Sequence, residues 1–198
     1  MKKLLFALAL VPFLFASCDP KPQSLKIADF TATIPASLQV IHQEDSFPES
    51  ASFYLTGEGN QFGAYSIVYY SDAELEYIEG LHEGLDNFLE NKIIELLNTV
   101  VEGGFNQVFP GLEVDDFDEI EWNDDKSVAW LYMKGTHGDD QPWTGGITIY
   151  LNEGALVKLL GICNTREEYD ELENIMLEIE FDEAPEGGYQ TGNSAPEE

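Results

Sequence analysis

Few residues of this chain have the types and spacing to do chemistry together. His82-Glu83-Gly84-Leu85-Asp86 sets an imidazole and a carboxylate four residues apart, one helical turn, the spacing at which a helix grips zinc with two side chains. The position that would carry a second histidine carries Asp86, and no third ligand stands nearby in sequence, so a solvated helix surface is expected. Asp115-Asp116-Phe117-Asp118-Glu119 and Gly138-Asp139-Asp140 offer hard oxygen atoms of the kind calcium takes. Neither run has the glycine and closing-glutamate spacing of a calcium-binding helix-loop-helix, and both read as solvated acidic faces. His42 and His137 lie far from His82, so a Ser or Cys nucleophile paired with a base would need a spatial meeting that spacing does not show. Cys163 closes an apolar run and reads as a buried, inert thiol. Trp122, Trp130, Trp143, Tyr65, Tyr69, Tyr70 and Tyr132 could line a ligand groove, but most are expected in the core. Tyr54 and Trp143, beside turns, are the candidates for an exposed surface. No catalytic, cofactor-binding or metal-ligating residue is assigned, and no cofactor is implied.

The strongest chemical signal is at the start. Met1-Lys2-Lys3, an apolar run from Leu4 to Phe15 and the small residues Ala16-Ser17 have the layout of a secretory signal. An apolar run of about a dozen residues, interrupted by Pro12, is short of the roughly 20 that a spanning helix needs. Phe15-Ala16-Ser17-Cys18 resembles the lipobox of bacterial lipoproteins, with Phe15 where that pattern prefers leucine. The resemblance implies that residues 1–17 are removed and that Cys18, as the first mature residue, carries lipid. Acyl chains contribute about 0.8 kcal/mol per buried methylene, so several together hold a protein at a membrane. Asp19 resembles the inner-membrane retention signal of enterobacteria-like systems, a rule that does not carry across bacterial groups, so the sequence assigns neither inner nor outer membrane.

Charge narrows the partners. Nine Lys and Arg face 38 Asp and Glu, a formal net charge of −29, and loss of Lys2 and Lys3 with the signal makes the mature chain more acidic still. A duplex binder neutralises phosphates with clustered cations; here Lys92, Lys126, Lys134, Lys158 and Arg166 stand singly among acids, so nucleic acid is excluded. The same charge repels anionic head groups, which leaves the lipid on Cys18, not a basic patch, as the expected membrane contact. With Cys18 acylated, Cys163 has no partner for an intramolecular disulfide, and the core must stand on packing.

The elements that must position these residues follow from periodicity. Asp19 to Ser24, with Pro20 and Pro22, reads as the end of a tether over residues 18–24. Leu25–Ile27, Phe30–Ile34 and Leu38–Ile41 read as short strands, and Ala51–Thr56 with Phe62–Tyr70 as a hairpin around Gly57-Glu58-Gly59-Asn60. Leu85, Phe88, Leu89, Ile93, Leu96, Leu97 and Val100 recur at three and four, the stripe of one long helix that Gly103-Gly104 ends; Gly80 and Gly84 kink it or delay its start. Leu112–Trp122, Ser127–Gly135, Trp143–Leu151 and Ala155–Cys163, joined by Asn123-Asp124-Asp125-Lys126 and Asn152-Glu153-Gly154, predict an antiparallel four-strand meander. Thr165-Arg166-Glu167-Glu168 opens a second helix as a capping box, with Tyr169, Leu172, Ile175, Met176 and Ile179 as its buried stripe. One α+β domain over 25–181 is expected, with a long helix between an N-terminal hairpin and the meander, a C-terminal helix, and a disordered acidic tail over 182–198.

That element order, with Phe30-Thr31-Ala32-Thr33-Ile34-Pro35, the hairpin from Ile120-Glu121-Trp122 to Ala129-Trp130-Leu131-Tyr132, and the closing Tyr169 to Phe181 stretch, resembles the PsbP-like superfamily, which includes the DcrB-type bacterial lipoproteins. The resemblance covers about residues 25–181 and implies an α/β/α sandwich that serves as an assembly or binding subunit, not an enzyme. A fold does not carry a task with it, and no motif with a chemical role maps onto this chain. The expectation is a lipid-anchored envelope domain that binds a protein or small-molecule partner. An envelope hydrolase built on a carboxylate pair or a metal, and a calcium-dependent structural module, are the alternatives.

Overall fold

The structure is a computed structural model that describes residues 21–105, 109–124, 127–138, 140–183 and 188–189 of the chain. The expected signal peptide, Cys18 and most of the expected tail lie outside the described residues, as do Asp125, Lys126 and Asp139.

In chain order the elements are β1 (Gln23–Ile27), β2 (Phe30–Ile34), β3 (Gln39–Ser46), β4 (Ser50–Thr56), β5 (Phe62–Tyr69), α1 (Asp72–His82), α2 (Leu85–Val101), β6 (Glu113–Phe117), β7 (Glu121–Trp122), β8 (Val128–His137), β9 (Gln141–Asn152), β10 (Ala155–Cys163), α3 (Arg166–Leu177) and β11 (Glu180–Phe181). The fold is α+β with antiparallel pairing throughout. The meander β6-β8-β9-β10 and the run β3-β4-β5 join edge to edge, because β5 pairs with β10 from Phe62↔Ile162 to Tyr69↔Ala155, giving one eight-stranded sheet with β7 beside β8. A second sheet, β1-β2-β11, is formed when Glu180 and Phe181 return to Thr31 and Phe30.

Period-two alternation gives the large sheet two apolar faces, and each packs against other elements. On one face Phe53, Tyr65, Ile67, Val157 and Leu159 meet α3 and the small sheet. On the other, Leu131, Ile147, Ile149, Leu156 and Leu160 meet Phe88, Leu89, Ile93 and Val100 of α2. α3 comes unusually near the sheet because glycine lines its path. A Cβ on Gly161 would stand 2.6 Å from Cδ2 of Tyr169, and one on Gly146 would stand 3.0 Å from Cζ of the same ring. The buried Tyr169 side chain therefore lies directly on strand backbone, where a larger residue would push α3 away.

The stripe from Leu85 to Val100 is α2, whose start Gly84 delays as one of the two expected outcomes: the separate α1 ahead of it ends with Glu83 at φ 61, and Gly84 follows at φ 140, a conformation open essentially only to glycine. Three sequence expectations are corrected. Ser71 and Glu74 form a full capping box ahead of α1, whereas at α3 the Glu168 carboxylate turns back to the Asn164 N–H at 2.8 Å, leaving Thr165 to cap alone. The run Leu112–Trp122 splits into β6 and β7, with a register shift between Val114 and Asp116; six acids crowd this stretch, and charge on an edge strand discourages further pairing. The domain is also wider than 25–181. Gln23 and Ser24, assigned to the tether, pair with Ile34 and Thr33. Gly188, assigned to the tail, bridges Ser71, and Tyr189 is 2% exposed, because its ring completes an aromatic cluster with Tyr69 and Phe47. Among the described residues no helix is long and apolar enough to cross a membrane.

Candidate binding groove over Lys158

α2 covers the β8-β9-β10 part of its face and leaves the β4-β5 flank of that face half-exposed. Between the two runs a groove of about 290 Å³. Its floor is set by strand register. Ser52 lies opposite Ser66, and Ser66 opposite Lys158, so two hydroxyls and an amine form a row across β4, β5 and β10. Neighbouring strands are about 4.8 Å apart, so the row repeats at that spacing. The next row is Tyr54, Ala64 and Leu160, and Leu96 of α2 with Phe105 closes the apolar wall.

Lys158 is the one residue of β10 that is not fully buried, in the sequence Ala155-Leu-Val-Lys-Leu-Leu-Gly-Ile-Cys163. No hydrogen bond or ion pair reaches its amine among the described residues. Burial pushes the Lys158 amine below the ordinary lysine value, Lys92 pushes the same way, and Glu95 opposes them. Lys92 is itself engaged, 2.7 Å from Glu95 and 5.6 Å above the Phe88 ring. Two amines and one carboxylate leave a single local positive charge in a protein of net charge −29.

The opposite face holds a polar cluster of a different kind. The Thr148 hydroxyl is 2.7 Å from a Glu173 carboxylate oxygen and 2.7 Å from the Tyr169 hydroxyl. A threonine has one hydrogen to give, so Thr148 donates to Glu173 and Tyr169 donates to Thr148. Burial holds the Glu173 carboxyl above the usual carboxylate range, while the Thr148 hydrogen bond opposes it. Nearby the Arg166 guanidinium covers the Tyr132 ring at 3.1 Å, and burial pushes the Tyr132 phenol up to about 12. A cavity of about 180 Å³ opens here beside Asp116, Lys134 and Arg166. Its cations are already paired, Lys134 with Asp116 at 2.7 Å and Arg166 with Asp170 at 2.8 Å.

The residues weighed on sequence are dispersed. His82 ends α1 and Asp86 opens α2 across the Gly84 break, so they share no helix face; Nδ1 of His82 is 3.4 Å from the Asn91 amide instead. His42 meets Tyr54 at a tilt of 43° at one sheet edge, and His137 meets Phe109, with its Nε2 buried and unpartnered among the described residues. Among the described residues no three His, Cys, Asp or Glu side chains group to hold a metal ion. Cys163 is buried, and its thiol is pushed up to about 12 by burial, well away from a reactive thiolate. Trp143 is not an exposed ring: it is 3% exposed, and its indole N–H is shared between the carbonyls of Glu113 and Thr136. Tyr54 is half-buried and does line the groove. On sequence Lys158 is only one of several scattered cations. The available signal was a lone charge in the middle of an otherwise apolar strand.

No protein-family model matches the chain. No curated protein matches it. Among solved structures it is similar to the solution structure of cyanobacterial PsbP (CyanoP) from Synechocystis sp. PCC 6803, at 10% identity and a TM-score of 0.46, over 84% of this chain and 95% of that one. A likeness at that level bears on neither the groove nor its ligand.

Proposed function

We propose that this chain is a lipid-anchored, non-catalytic binding domain of a bacterial envelope. Lipid on Cys18 holds it to a membrane, and the groove between α2 and β4-β5 receives its partner or small-molecule ligand. The anchor rests on the Met1 to Cys18 sequence. Binding rests on one observation: a half-buried amine, Lys158, that no hydrogen bond or ion pair reaches among the described residues sits on the floor of an open groove whose described lining has no carboxylate, histidine or cysteine. A buried charge is costly unless paired, and a ligand anion would pair it.

The same groove argues against acyl-transfer chemistry. Ser66 lies beside Lys158, the residue types of a serine–lysine pair, but no hydrogen bond joins them, and both sit mid-strand where backbone N–H groups are engaged in the sheet ladder. A nucleophile there has no free backbone donors to hold an oxyanion.

Expression of the full precursor in a bacterial host, with intact mass and membrane fractionation of wild type and Cys18→Ala, tests the anchor. Wild type should carry added lipid mass and sediment with membranes, and Cys18→Ala should lose both. A soluble wild-type protein without lipid mass would overturn the anchored reading.

A further inference from the structure

Given that the groove binds a ligand, the remaining question is what chemistry it selects. Among the described residues the charges that act on the site are Lys92 and Lys158 against Glu95, a single net positive, and the Glu95 ion pair is made with Lys92. A dianion such as a phosphate ester would leave one negative charge uncompensated inside a protein that carries −29. A neutral apolar ligand would leave the amine as unpaired as it is now. The other contacts are a phenol ring, an aliphatic side chain from α2, a leucine, an alanine and Phe105, with Ser52 and Ser66 able to donate beside the amine. At about 290 Å³ the space lies at the small end of ligand pockets, which run from roughly 300 to 1,000 Å³. Long-range repulsion of anions must be offset by apolar burial, at about 25 cal/mol per Å² removed from water.

We propose that this groove takes a small amphipathic monocarboxylate, its carboxylate paired with Lys158 between the Ser66 and Ser52 hydroxyls and its apolar body against Tyr54, Leu96, Phe105 and Leu160. The proposal rests on the groove being a binding site. It adds the charge, the size class and the orientation of what enters.

Titration calorimetry on the lipid-free Cys18→Ala chain, with sodium octanoate against 1-octanol, tests it. Octanoate should bind saturably and about tenfold or more tighter than 1-octanol, the scale of a charge-assisted hydrogen bond. In Lys158→Met that preference should vanish while 1-octanol binding stays. Lys158→Gln, one atom shorter, keeps a donor but not the charge and should lose the preference too, so the outcome does not depend on one variant folding. Equal affinity of octanoate and 1-octanol for the Lys158-containing chain would overturn the carboxylate assignment and leave the groove as an apolar site. An octanoate preference untouched by both variants would place the carboxylate elsewhere and overturn it as well. Saturable binding of neither probe would overturn the groove itself.

Discussion

Asp29 and Lys158 are both half-buried charges on opposite faces of the eight-stranded sheet, and their surroundings differ completely. Asp29 sits in the turn between β1 and β2, where the Tyr69 hydroxyl donates to one carboxylate oxygen and the Tyr189 hydroxyl to the other at 2.7 Å. Phe47 packs edge-on against both rings, and the Asp29 carbonyl accepts the Asp182 N–H at 2.6 Å. Burial and the nearby carboxylate push both phenols far above their ordinary value, so they stay protonated and keep donating. Among the described residues Lys158 has no hydrogen-bonded or ion-paired partner on its own face. A charge whose hydrogen bonds are complete closes a structure, here by clasping the C-terminal segment to the N-terminal sheet. A charge left incomplete beside open space is available to a ligand.

Truncation should break this contrast with opposite signs. Asp29→Ala leaves two buried phenols without an acceptor, each costing about 1–3 kcal/mol, and urea unfolding should show a loss of about 3 kcal/mol. Asp29→Asn keeps one acceptor and should lose about half as much. If Asp29→Ala unfolds at the wild-type urea concentration, the clasp contributes nothing and the comparison fails. Lys158→Met should instead stabilise the ligand-free protein by about 1 kcal/mol at pH 7, since an apolar chain replaces an unpaired amine among Leu156, Leu160 and Leu96. The pH dependence sharpens this. With its value lowered in the fold, Lys158 binds fewer protons folded than unfolded between that value and the ordinary lysine value, so its contribution to stability rises with pH across that window. The advantage of Lys158→Met should shrink as melts are repeated from pH 7 toward pH 10, and a constant difference would mean that the amine is freely solvated.

Much of this architecture was legible in the chain, and what was not has identifiable physical causes. The hairpin of Ser50–Thr56 and Phe62–Tyr69, the meander and the α3 stripe were readable because alternation and three-four spacing are local properties. The joining of β5 to β10 was not, because they lie about 90 residues apart and no local pattern encodes pairing partners. The break between α1 and α2 was half visible in Gly84, but Glu83 in a left-handed conformation carries no sequence mark. Tyr189 was lost in a stretch of Pro, Gly and Glu that composition alone assigns to disorder; one ring meeting Asp29 is enough to bring it back. The groove was missed for a similar reason: Ser52, Ser66 and Lys158 are unremarkable singly and become a row only when three strands are in register.

Glu173 is the intermediate case and gives the smallest expected effect. It is a half-buried carboxylate with one hydroxyl donor, Thr148, where Asp29 has two and Lys158, among the described residues, has no acceptor. Burial outweighs that single bond and holds its carboxyl above the usual range. A carboxyl raised in the fold binds more protons folded than unfolded, so its favourable contribution is complete below the ordinary glutamate value and is lost as pH rises through the folded value. Glu173→Gln keeps an acceptor for Thr148 and removes the charge. It should therefore stabilise the protein at pH 7 by a few tenths of a kcal/mol, discounted because the group is partly solvated, and flatten the loss of stability above pH 4.5. Thermal melts of the two proteins from pH 4 to pH 7 would measure it. Parallel curves would mean that the Thr148 bond compensates burial fully, placing Glu173 with Asp29 among completed charges and leaving Lys158 as the outlier of the three.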